Sequence, residues 1–215
     1  MNNKPTRRSV LTQIGLTTGI GVIGLPALSR SGAAHQVTRD HHTILENTLY
    51  ETDVSTIAAP TEGPTVVVLA AFMGTNVVAL RLLISLLSIR SSGTLVVIPE
   101  TNKPAVKRDN NHGSNGDLNR QFPIGSEPMT MAARGIWDEV VDVDPDYLID
   151  MHNATGIYGS DGIGQSIFPT ANVVSAAEST VDYMNTTHLP DTDSLSAHDF
   201  HGRTSDLGTA SASYS

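Results

Sequence analysis

The chain has no cysteine among its 215 residues, which removes disulfides, thiolate metal sites and cysteine nucleophiles together. Basic residues are scarce: 13 Lys and Arg stand against 22 Asp and Glu, for a net charge of -9. The balance is uneven along the chain. Residues 1–34 hold Lys4, Arg7, Arg8 and Arg30 and no acid, so the remainder carries -13. A surface of that sign repels a polyanion, which argues against a nucleic-acid partner. Few Lys with many Asp and Thr suits a high-salt environment, where hydrated carboxylates keep a protein in solution. No Gly-x-Ser-x-Gly elbow is present to support a serine hydrolase. The glycines between Gly156 and Gly164 do not follow a strand-to-helix phosphate fingerprint. Long apolar runs are missing too. The stretch from Ile14 to Leu28 is rich in Gly and Thr, too short and too weakly apolar to span a bilayer comfortably.

What is present begins with a targeting pattern. Thr6-Arg7-Arg8-Ser9-Val10-Leu11 is a twin-arginine string, followed by the mild apolar run and by small residues at Ser31-Gly32-Ala33-Ala34 that suit cleavage. The expectation is a signal segment over residues 1–34 and export to the cell surface or beyond. Residues 35–215 are then one α/β domain, long enough for one sizeable core. The chain after Thr186 is polar and carries no apolar strand or capped helix, so this domain is expected to be incomplete at its C-terminal end.

Hydrophobic patterning gives the order of elements. Thr43 to Ile57 reads as a strand or two at a sheet edge, and Pro60-Thr61-Glu62-Gly63-Pro64 as a turn. Thr65-Val66-Val67-Val68-Leu69-Ala70-Ala71-Phe72 is a β-branched run of the kind buried on both faces. Val77 to Ile89 is helical and apolar on nearly all sides, and Thr94 to Pro99 is the next strand. This β-α-β order with short connections implies parallel strands and a right-handed crossover. Residues 100–128 read as one long polar loop, a length that belongs to function or disorder. Helices are expected over residues 129–141 and 172–185, and strands over 146–151 and 165–169.

Two segments carry the candidate chemistry. Tyr147-Leu148-Ile149-Asp150-Met151-His152-Asn153 is a short apolar run ending in an acid, a histidine and an amide, as a buried strand looks when its C-terminal end delivers polar groups to a cleft. Asp117-Leu118-Asn119-Arg120-Gln121-Phe122-Pro123 closes a Gly- and Asn-rich loop on an Arg that can offer a carboxylate a rigid two-pronged donor. Arg120 is either that clamp or a loop cation paired with Asp117 or Asp109. Asn119 either orients a ligand or caps a turn, and His152 is either a metal ligand or a hydrogen-bonded pocket histidine. His112 reads as a solvated loop residue. His198 and His201 could join His152 in a rebuilt metal site, although a polar surface turn explains them as well.

On these residues the chain resembles the succinylglutamate desuccinylase/aspartoacylase branch of the zinc carboxypeptidase-like (M14) family. The resemblance runs from about Thr65 to Arg203 and is strongest in the Asp-Leu-Asn-Arg-x-Phe-Pro string. It implies a mixed, mostly parallel sheet with helices on both faces, and a zinc ion at the C-terminal ends of the strands. It implies His152 as the ligand at the end of the later strand, and Asn119 and Arg120 as the group that binds a free carboxylate. The implied substrate is a small molecule or peptide whose amide bond is hydrolysed by metal-activated water. The departures are local. The family's His-Gly-x-Glu turn reads here Met73-Gly74-Thr75-Asn76: a thioether that rarely ligates zinc and a neutral oxygen donor weaker than a carboxylate. The late glutamate that serves as general base has no counterpart, since Asp206 is the only acid after Arg203. No catalytic residue is therefore assigned, and the expectation is an impaired copy or a non-catalytic carboxylate-binding module.

Overall fold

A computed structural model describes residues 36–70, 92–110, 112–152, 162, 164 and 166–187, and the backbone of 201–202. Among the described residues five strands form the main sheet: β1 (Thr38–Ile44), β2 (Thr52–Ala58), β3 (Thr65–Leu69), β4 (Thr94–Ile98) and β5 (Tyr147–Asp150). Their order is β1-β2-β4-β3-β5. The expected parallel pairing is observed, with Val67 opposite Val96 on one side and Leu148 on the other. β1 and β2 form an antiparallel hairpin added to the β4 edge, so the sheet is mixed.

The β-branched run of β3 is buried on both faces, as period-two geometry requires of a central strand. Val67 and Leu69 join Val54, Val96 and Ile98 on one face, and Val68 joins Leu95 and Val97 on the other. The first face is covered by α2 (Met131–Val143), which comes after the short helix α1 (Lys103–Arg108) in the chain. α2 contributes Ala132, Ala133, Ile136 and Val140 to the buried cluster. Thr130 caps its start by accepting from the Ala133 N–H at 3.3 Å, and Asp144 in the left-handed region ends it. Gly135 lets the hairpin approach this helix: a Cβ there would lie 2.4 Å from Leu45 Cδ2.

Four departures from the sequence expectation have local causes. The loop 100–128 contains α1 and a single 3-10 turn, Leu118–Arg120. α1 has Pro104 in its first turn, where a fixed φ is suitable, but six residues are too few to display a helical period. The final helix α3 spans Val174–Thr187. The expected strand at 165–169 shrinks to β6 (Ser166–Ile167), paired in parallel with β7 (His201–Gly202) in a polar stretch where no strand is expected. The helix expected over 77–89 and the signal segment lie outside the described residues.

Candidate carboxylate-binding site

Three parallel strands end side by side, at Ile98, Leu69 and Asp150. The chain beyond them is held to the sheet. The Thr101 hydroxyl and N–H both donate to Ala70 O, at 2.7 and 3.1 Å. Met151 N–H donates to Leu69 O at 2.8 Å, extending the β3–β5 pairing to the residue before His152. His152 therefore leaves the sheet at the C-terminal edge, where polar groups of parallel sheets meet ligands.

The Asp117–Pro123 segment comes to the same place. Leu118 and Phe122, 3% and 1% exposed, are anchored in the core on either side of Asn119 and Arg120. Between these anchors the chain makes its 3-10 turn, capped by Asp117 Oδ1 accepting from the Asn119 N–H at 2.9 Å. Gln121 ties the preceding loop down by donating to Asn115 O at 2.6 Å, and Asn115 N–H donates to the Tyr50 hydroxyl at 3.1 Å. Gln121 also accepts from the Thr130 hydroxyl, which links the turn to the start of α2.

The result is a contact across 33 residues of sequence: Asn119 Nδ2 lies 3.4 Å from His152 Nδ1. Asn119 is buried, and among the described residues its Oδ1 has no hydrogen-bond partner. The Arg120 guanidinium donates to Asn119 O at 3.2 Å while the residue stays exposed. Among the described residues no ion pair joins Arg120 to Asp117 or Asp109. His112 is exposed. Met73, Asn76 and His198 lie outside the described residues, as does the side chain of His201.

Charge around His152 is mixed. Burial pushes its imidazole below the ordinary value of 6.5; the Asp150 and Asp117 carboxylates raise it, and Arg120 adds to the lowering. The ring is neutral at pH 7. Asp150 and Asp117 were not among the site candidates read from sequence; their spacing to His152 and Asn119 is the signal that could have found them. A base with a depressed folded pKa binds fewer protons folded than unfolded, so stability rises with pH. That contribution is complete above pH 6.5 and is lost as pH falls through the folded-state value. Thermal melts across this window are expected to show the wild type losing stability on acidification more steeply than His152→Asn.

The donor set does not fit a zinc ion. His152 supplies one good ligand, but the sequence offers a thioether and a neutral amide at 73 and 76. Among the described residues no group of three His, Asp or Glu is arranged to hold a metal. Among the described residues this site presents an amide, a guanidinium and an imidazole.

No protein-family model matches the sequence, and no curated protein matches it. Solved structures do. A metallo-carboxypeptidase from Burkholderia cenocepacia superposes with a TM-score of 0.53 at 15% identity, over 82% of this chain and 51% of that one. The cell shape determinant Csd4 of Helicobacter pylori gives 0.50 at 16% identity, over 79% and 42%. An aspartoacylase family protein from Mesorhizobium loti gives 0.49 at 19%, over 78% and 62%. The chain thus spans about half the length of the structures it resembles.

Proposed function

The chain has the carboxypeptidase-like fold, a mixed five-stranded sheet with helices, and on that premise we propose a function for the Asn119–Arg120–His152 cluster. It binds the free carboxylate of an N-acyl amino acid or a peptide C-terminus, on a scaffold descended from exported zinc-dependent amide hydrolases, with hydrolysis impaired in this copy. The observation that carries the proposal is the junction of the Asn119 side chain with the His152 ring beside an exposed Arg120. Arg120 offers the planar fork that carboxylates prefer. Among the described residues the Asn119 Oδ1 makes no hydrogen bond, while its Nδ2 lies 3.4 Å from the His152 ring.

Impairment is expected from the chemistry at positions 73 and 76. Zinc lowers the pKa of bound water from about 16 to about 7, and a thioether with a neutral amide is a poor replacement for an imidazole and a carboxylate. A second reading, a purely non-catalytic binding module, rests on the same two residues. Calorimetry with N-acyl amino acids, run beside an assay for the released amino acid, tests both. Saturable binding with no efficient turnover is the expected result. Turnover at about 1–1,000 per second, typical of enzymes, would contradict impairment, and absence of binding to any carboxylate ligand would contradict the site.

A further inference from the structure

A cavity of about 440 Å³ opens between the loop that succeeds the carboxylate site and the middle of α2, lined by Phe122, Pro123, Glu127, Pro128 and Trp137 among others. Its lining includes none of Asn119, Arg120 and His152, so it is separate from the site above. The volume lies within the range of small-molecule sites. Its chemistry is unusual for this chain, in which aromatic residues make up 5%: one indole, one phenyl ring, two prolines and one carboxylate.

We infer that this cavity binds a small organic cation, a substituted ammonium group held against Trp137 with Glu127 as counter-charge. An indole face attracts a desolvated cation through its quadrupole and is the best of the aromatic side chains at doing so. The Trp137 ring packs against the buried Phe122 ring, with centroids 6.5 Å apart at 48°. Glu127 is exposed and is the charged residue lining the cavity, so the local field there favours a positive ligand. Arg134, the basic residue of α2, does not line the cavity. Its guanidinium donates to Pro128 O at 3.1 Å and to Met129 O at 3.3 Å, which fixes the shape of the loop.

Trp137 is the only tryptophan in the chain, so emission from the full-length protein reports on this cavity alone. The probe is choline, titrated against 3,3-dimethylbutan-1-ol, its uncharged isostere, at matched ionic strength. Saturable change in emission with choline, and at least about fivefold weaker binding of the neutral isostere, are expected. Glu127→Gln, a change on an exposed loop, is expected to weaken choline binding by about two- to fivefold, the scale of an exposed charge pair. Saturation-transfer NMR on the choline methyl protons detects binding that leaves the emission unchanged. No signal by either method overturns the inference, as does equal affinity for the two probes or undiminished choline affinity in Glu127→Gln.

Discussion

Replacing Met73 by His and Asn76 by Glu together is expected to raise the zinc content of the purified chain from well below one ion to about one ion per chain. The expectation rests on two facts of placement and one of chemistry. His152 comes directly after β5, and β5 is paired with β3 so that Leu69 stands opposite Asp150. Positions 73 and 76 come shortly after β3 in the sequence. An imidazole and a carboxylate are ligands zinc prefers, and the carboxylate also compensates the charge of the cation. Changing residues that merely orient zinc ligands alters affinity by about 10–100-fold; restoring two ligands should exceed that. Metal analysis of the double variant, with His152→Asn added as a third change, checks the assignment. Zinc content no higher than wild type, or content unaffected by the third change, would mean His152 is not part of such a site.

Arg120→Ala is expected to abolish most of the affinity for a carboxylate ligand, by about 1.5–3 kcal/mol, the range for a hydrogen bond to a charged group. At room temperature that is roughly a 10- to 150-fold rise in Kd. Arg120→Lys should recover only part of the loss, because an ammonium keeps the charge and lacks the fork. Folding should be little affected, since Arg120 is exposed and its side-chain bond to Asn119 O lies on the turn surface. Calorimetric titrations of the three proteins with one N-acyl amino acid give the comparison. Equal affinities in wild type and Arg120→Ala would remove Arg120 from the site.

The elements that position the site were legible because their residues repeat one physical demand. β3 and β4 sit between other strands with both faces covered, and each shows as a β-branched run; β5 ends on Asp150 and leads to His152, although Tyr147 and Ile149 are exposed where a buried strand is expected; α2 has a clean apolar stripe through Ile136 and Val140. The Asp-Leu-Asn-Arg string was legible because Leu118 and Phe122 must be apolar and Asp117 must be a short acceptor to cap the turn. Other features leave little trace in local sequence. β1 exposes most of its residues, so Thr38–Ile44 lacks the alternation that marks a half-buried strand. Leu45, at positive φ after β1, packs against Gly135, ninety residues later. His42 and Glu139 meet at 3.0 Å across 97 residues, and Asn119 meets His152 across 33. Each of these is a tertiary coincidence that periodicity cannot encode.

The most direct measurement is the NMR signal of the His152 imidazole, assigned by its loss in His152→Asn, tracked while an N-acyl amino acid is added. The account predicts a shift that saturates with the calorimetric Kd, and no such shift when the ligand's carboxylate is replaced by a carboxamide. A ligand that binds through Arg120 while the His152 signal stays fixed would contradict a single shared site.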